Sequence, residues 1–313
     1  MTTVLVTGQF SPENMARMRQ SVPTVELRFA PKLSETDDGL GDVEAIAGTI
    51  KASHLARAPR LKWVHSWAAG ADNDLFPEML ASPVVLTSSA GNGAIPLAEH
   101  SMLLMLMLNR DVPRWMRAQT SKTWERFTHP ELNGLTLGIF GLGNSGSDLA
   151  LKAQAFHMRV LGLRRNSDRS VPGVDRMYSI DQFHAFLGES DFVVVTAPST
   201  PQTLGIFDEA AFQAMKATAY FICISRGGIA DDEALLMALR EGCIAGAGLD
   251  AHGVEPLPSD SPFWSLPNVI VTPHNGATTP ATARRSVDIF IDNLTRYVAG
   301  QPLRNVVDKS AGY

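Results

Sequence analysis

The chain has 313 residues, 45% hydrophobic and 19% charged, with a formal net charge of −5. That length supports two domains with separate cores, and the mild acidity gives no footprint for nucleic acid or an anionic membrane surface. Two cysteines, Cys223 and Cys243, are too few for a disulfide framework or a zinc set and read as reduced thiols of a cytoplasmic protein.

MTTVLVTGQF has neither a basic leader nor a long apolar run, so it reads as a first strand at Val4–Val6 rather than a signal peptide. PENMARMRQ follows Ser11, a good N-cap, and reads as a helix. Short apolar segments recur at Val25–Phe29, Ala45–Ile50, Trp63–Trp67 and Val84–Thr87, as expected of a small α/β domain with a mostly parallel sheet. Within it WAAGAD, Trp67–Asp72, crowds small residues at the C-terminal end of a strand, the edge where open sheets bind ligands. The N–H groups of Ala69, Gly70 and Ala71 can nest a carboxylate there. A plain glycine turn fits the same letters equally well.

From Pro96 the texture changes. PLAEHSMLLMLMLNR reads as a long apolar helix, followed by a break near Pro113 and an amphipathic segment, DVPRWMRAQTSKTWER. Its most apolar part, Ser101–Leu108, is too short to cross a bilayer. Met102, Met105 and Met107 read as packing, and His100 as a structural histidine.

Next, Leu135, Leu137, Ile139 and Phe140 form an apolar run of strand length that ends in Gly141, Gly143 and Gly146. The spacing is G-x-G-x-x-G, and SDLALKAQAF continues with helix formers, so strand, glycine turn and helix follow in the order of a dinucleotide fingerprint. Gly141 permits the tight turn, Gly143 lets a pyrophosphate approach the backbone, and Gly146 lets helix and strand pack closely. The helix N-terminus adds free N–H groups and a positive dipole end.

Beyond it Arg159–Leu163, Phe192–Ala197, Tyr220–Ile224, Ala247–Leu249 and Val269–Val271 read as strands. They alternate with helices at Ile180–Phe186, Glu209–Met215 and Asp232–Arg240, so a parallel sheet covered on both faces is expected. A final helix, Ala281–Val298, returns the chain to the first domain, giving a division into 1–99 plus 282–313 and 100–281.

The strand after the glycine helix ends in Leu163, Arg164, Arg165 and Asn166. No acid stands where NAD ribose binding calls for one, roughly twenty residues past the glycines. Two guanidiniums suit the 2′-phosphate of NADP, so NADP is favoured, with Asp168 keeping NAD as the alternative. Three later strands also end in ionisable residues: Arg226 in ISRGG, Asp250 and Glu255 in GLDAHGVEPLP, and His274 in VTPHNGAT. All lie at the edge that carries the glycine turn, and an arginine, a glutamate and a histidine there make an acid/base unit.

With these motifs in place the chain resembles the D-isomer-specific 2-hydroxyacid dehydrogenase family, particularly its glyoxylate/hydroxypyruvate reductase-like members. The resemblance rests on GLGNSG, SRGGIADDEAL, AGAGLD, VEPLPSDSPFW and TPHNGAT, in family order and spacing. It implies an α/β fold of two Rossmann-like or flavodoxin-like domains with parallel sheets and a cleft between them. It further implies that His274 exchanges a proton with the substrate oxygen, Glu255 holds the imidazole and Arg226 binds the substrate carboxylate. The Ala69–Gly70–Ala71 backbone then adds carboxylate contacts and Asp250 accepts from the nicotinamide amide. Asn144, Ser145, Ala197, Pro198, Ile224, His274 and Gly276 complete the expected cofactor contacts. Ser101–Arg126 resembles the family's dimerisation arm, so a homodimer is expected.

The expected activity is NADPH-dependent reduction of a small 2-keto acid to a D-2-hydroxy acid. An NAD-dependent oxidative dehydrogenase and a dinucleotide-sensing corepressor-type scaffold are the alternatives. The end of the chain soon after the last helix disfavours a phosphoglycerate dehydrogenase with a regulatory domain. Cys223, where the family usually has asparagine, Ala251–His252, where it has Val-Phe, and the segment Ser88–Asn92 all depart from its pattern.

Overall fold

A computed structural model describes residues 2–33, 38–165 and 169–312. The chain opens with β1 (Thr3–Thr7), α1 (Pro12–Ser21), β2 (Glu26–Ala30), β3 (Val43–Ala47), α2 (Ala52–Arg57), β4 (Trp63–Ser66), α3 (Pro77–Ala81) and β5 (Val85–Ser88). Two helices follow, α4 (Ala94–Asn109) and α5 (Val112–Thr120), then β6 (Thr136–Phe140), α6 (Asn144–Ala155), β7 (Arg159–Leu163) and β8 (Arg176–Tyr178). The chain continues through α7 (Phe183–Glu189), β9 (Phe192–Val195), α8 (Glu209–Ala214), β10 (Tyr220–Cys223) and α9 (Asp232–Glu241). It ends with β11 (Gly246–Leu249), β12 (Val269–Val271) and α10 (Pro280–Val298). Contacts gather these into two compact units, Met1–Gly93 with Thr279–Tyr313, and Ala94–Thr278. No helix among the described residues is long and apolar enough to cross a membrane.

The first unit holds a parallel sheet in the order β2-β1-β3-β4-β5, the flavodoxin-like arrangement. Alternation along its strands divides the core. Val4, Val6, Ala45, Ala47 and Trp63 pack on Met18 of α1 and on Val287, Phe290 and Leu294 of α10. Leu5, Ile46, Val64 and Leu86 face the other way, against Met79 of α3. With both faces covered, apolar residues on these strands point to both sides, which is why they read as mainly apolar runs rather than strictly alternating ones. Ser11 caps α1 by accepting from the Asn14 N–H, and Pro12 stands at the helix start, where its missing donor costs nothing.

The second unit holds seven parallel strands in the order β8-β7-β6-β9-β10-β11-β12. The order reverses between β6 and β9, the switch point at which doubly wound sheets bind dinucleotides. Leu137 and Ile139 of β6 pack beneath α4 and α6, while Phe140 joins the aromatic core of Phe183, Phe207, Phe212 and Phe221 on the other face.

Several local expectations need correction. The helix break lies at Asp111, in left-handed conformation with φ 49°, and its carboxylate caps α5. Pro113 therefore sits in the first turn of a new helix, where proline is tolerated, rather than breaking one. The segment from Ile180 begins as a 3-10 turn and becomes helical only at Phe183. The strand at Arg176–Tyr178 was not anticipated, because three residues at a sheet edge leave no periodicity to read.

Candidate functional site

The glycine turn follows β6 directly. Gly141 takes φ +101°, and a Cβ there would stand 2.5 Å from the Ala197 nitrogen, so only glycine fits. Its carbonyl accepts the Thr196 hydroxyl, and its N–H donates to Leu163 O at 2.8 Å, fixing the turn between three strand ends. A Cβ on Gly146 would lie 2.1 Å from the Gly141 oxygen, so helix and turn meet backbone to backbone. Gly143 differs: a Cβ there would meet nothing within 4 Å. The space beside it is open, as an approaching phosphate requires. Among the described residues no hydrogen bond takes the N–H groups of Asn144, Ser145 or Gly146, and Gly143 caps α6 without a side chain. These unpaired donors at the positive end of a 12-residue helix make an anion site that fits a pyrophosphate.

Gly146→Val tests the turn. The clash is with main chain, which cannot swing away, so we expect about 2–3 kcal/mol of destabilisation. Dinucleotide affinity should fall with it, and thermal melting beside fluorescence titration with NADPH reads both.

Around this turn the other expected cofactor residues occupy strand ends. Ala197 donates its N–H to Phe140 O at 3.0 Å, the Pro198 carbonyl accepts from Thr203, and Ile224 is buried just past β10. After β7, Arg164 donates to the Arg169 carbonyl at 2.6 Å, its Nε has no partner among the described residues, and Arg165 is exposed. Asn166 and Asp168, which bear on the choice between NADP and NAD, lie outside the described residues.

The ionisable residues are assembled by three neighbouring strands. β10 leads to Arg226, β11 to Asp250, His252 and Glu255, and β12 to His274. A chain of contacts joins their loops. A Cβ on Gly227 would stand 1.8 Å from the His252 oxygen, so the arginine loop lies directly on the loop after β11. His252 donates its N–H to Glu255 Oε1 at 2.9 Å, and Glu255 meets His274 Nδ1 at 2.9 and 2.8 Å through its two oxygens. His252 Nε2 donates to the Thr272 carbonyl at 2.9 Å, tying the second loop to the third. Burial raises the cost of charging Glu255, but the His252 N–H and the His274 imidazole outweigh it and hold the carboxyl below its usual range. Nδ1 of His274 is thus engaged by a carboxylate through both of its oxygens.

His274 takes a left-handed φ of +50°. Asp250 supports that conformation. Fully buried, it accepts from Thr272 Oγ1 at 2.6 Å and from the N–H groups of Asn275 and Gly276 at 3.0 and 2.9 Å, pinning both sides of the histidine. His100 completes the cluster through Thr272 Oγ1 at 3.1 Å, a satisfied structural position. Thr272 escaped the sequence reading, although a threonine directly after an apolar strand at the ligand edge was the available signal. Cys223 is buried, its thiol pushed up to about 11 by desolvation, and it donates to the Arg226 carbonyl at 3.4 Å. It supports the arginine loop as a neutral group.

Ala69, Gly70 and Ala71 belong to the first unit, in the turn after β4. No described hydrogen bond within that unit uses their N–H groups.

The strand order, the glycine turn at the switch point and the open helix N-terminus define a dinucleotide-binding α/β domain of the oxidoreductase class. Residues 102–276 match the D-isomer specific 2-hydroxyacid dehydrogenase, NAD binding domain. The chain belongs to the D-isomer specific 2-hydroxyacid dehydrogenase family. It is 32% identical to a glyoxylate reductase of Korarchaeum cryptofilum, over 85% of this chain and 82% of that one. It is 30% identical to a D-3-phosphoglycerate dehydrogenase of Archaeoglobus fulgidus over 97% of its own length, and spans 59% of that protein. Among solved structures it resembles an NADPH-dependent glyoxylate/hydroxypyruvate reductase of Sinorhizobium meliloti in complex with NADP and sulfate. The identity is 32%, with TM-score 0.87 and both chains covered in full.

Proposed function

We propose that the protein is an NADPH-dependent reductase of small 2-keto acids, of the glyoxylate or hydroxypyruvate kind, giving the D-2-hydroxy acid. The observation that carries this reading is the His274–Glu255 pair, held at the same sheet edge as the glycine turn. The Sinorhizobium reductase with bound NADP and the archaeal glyoxylate reductase support the substrate class. The 2′-phosphate falls to Arg164 and Arg165, and the pyrophosphate to Gly143 and the N–H groups of Asn144, Ser145 and Gly146. Ala197, Pro198, Ile224, Asp250 and Gly276 bound the rest of the cofactor site. When bound, the dihydronicotinamide supplies the hydride.

The remaining chemistry is the protein's own. His274 gives the proton on Nε2 to the keto oxygen as that oxygen gains charge. Glu255 keeps Nδ1 occupied and fixes the orientation of the ring. Arg226 grips the substrate carboxylate and stabilises the charge developing on the neighbouring oxygen. Ala69, Gly70 and Ala71 offer N–H groups to the carboxylate. The protein acts as a homodimer, with the exposed Trp115, Met116 and Trp124 on and after α5 covered by a second copy.

The test is oxidation of NADPH and of NADH with glyoxylate, hydroxypyruvate, pyruvate and phenylpyruvate. We expect turnover with the smaller acids and a preference for NADPH that falls at least tenfold when Arg164 and Arg165 are both changed to glutamate, because two phosphate partners become repulsive. An undiminished preference in that variant rejects the arginines as the 2′-phosphate site. Tight dinucleotide binding without turnover of any keto acid favours the scaffold reading.

A further inference from the structure

The first unit contains a buried polar chain that the proposed chemistry leaves unused. His65, in β4, has no solvent exposure. Its Nδ1 lies 2.9 Å from Thr87 Oγ1 and its Nε2 3.2 Å from Ser89 Oγ. Thr87 Oγ1 also receives the Trp63 indole N–H at 2.8 Å. Ser89 reaches the loop that follows β4. Its hydroxyl donates to Ser66 O at 3.2 Å, and its N–H is shared by Ser66 O at 3.0 Å and Ala68 O at 2.9 Å.

The proton order in this chain follows from its first member. An indole nitrogen only donates, so Thr87 accepts there and has its own proton to give. Given to His65 Nδ1, that proton leaves Nε2–H to donate to Ser89, whose hydroxyl then passes its proton to the Ser66 carbonyl. Every group is satisfied by one neutral imidazole. The reverse order sends the Thr87 proton to Val64 O, 3.5 Å away and beyond good hydroxyl geometry. Burial independently keeps the imidazole neutral, pushing it down to about 3.

The chain ends on the carbonyls at one side of Ala69–Ala71, and the Asp74 N–H holds the Ala71 carbonyl at 2.9 Å on the other. We propose that His65 and Ser89 are positioning residues for substrate: through Ser66 and Ala68 they turn the loop so that the N–H groups of Ala69–Ala71 present a preformed cradle to the keto acid's carboxylate. This rests on the carboxylate role given above to those three residues. Ser89 supplies one donor through its main chain and a second through a small side chain that fits beneath the loop.

Two variants and one spectrum separate the possibilities. Ser89→Ala keeps the main-chain bond and loses the hydroxyl, so KM for the keto acid should rise about five- to tenfold, with kcat and NADPH affinity within about twofold. Ala71→Pro removes a loop N–H outright and should raise KM at least as much. If Ala71→Pro leaves KM unchanged, the carboxylate role itself is wrong. If it raises KM while Ser89→Ala lowers only the melting temperature, the loop binds carboxylate but His65 and Ser89 merely stabilise the fold. Nitrogen NMR of the holoenzyme gives the readout that needs no variant. We expect one histidine with a bare Nδ1 and protonated Nε2, unchanged between pH 5 and 9, that shifts in Ser89→Ala. A titrating His65, or a proton on its Nδ1, overturns the proposal.

Discussion

Changing His274 to alanine is expected to lower kcat for keto-acid reduction about a thousandfold, the scale of a lost general acid. NADPH affinity should change little, because the Asn275 and Gly276 N–H groups remain anchored on Asp250. Glu255 sets the sign of the pH dependence in the wild type. Its carboxyl is held below the usual range, so it stays ionised and keeps His274 Nδ1 engaged until pH falls below the ordinary carboxylate range. Protonating it there releases the imidazole, so turnover in both directions should be lost as pH falls through that titration. Initial rates in both directions across pH check this, and matching profiles in His274→Ala would remove the pair from the chemistry.

The second large effect is at Arg226. Arg226→Gln keeps a planar donor but loses the charge and the two-point grip on a carboxylate, and kcat/KM should drop about a thousandfold. The loss should appear in both constants. Ground-state binding raises KM, while the missing charge beside the developing oxyanion lowers kcat. Arg226→Lys should recover little, since an ammonium cannot reproduce the fork. A change confined to KM would make Arg226 a binding residue only.

How far the letters carried can be judged from particular residues. The glycine turn was legible because each glycine answers a separate steric demand: φ +101° at Gly141, open space at Gly143 and a backbone contact at Gly146. Parallel strands were legible as apolar runs, since both faces of each sheet are covered. Arg226, Glu255 and His274 were placed at the correct edge because each follows a strand whose direction is set by its neighbours. What stayed hidden was second-layer polarity. Asp250 reads as a ligand contact on sequence logic, and its three donors from the loop after β12 had no local signal. His65 sits in WVHSW as one polar letter in an apolar strand, and nothing local tells that Thr87 and Ser89, on the next strand and just past it, will satisfy both its nitrogens. Such partners lie far along the chain, and only sheet register brings them together.

The most direct test of the central claim is a paired assay of wild type and His274→Ala, with NADPH binding and glyoxylate-dependent NADPH oxidation measured on the same samples. Equal NADPH affinity with turnover reduced about a thousandfold in the variant is the expected result. Equal turnover in the two proteins would contradict it, because the proton would then reach the keto oxygen from somewhere other than His274.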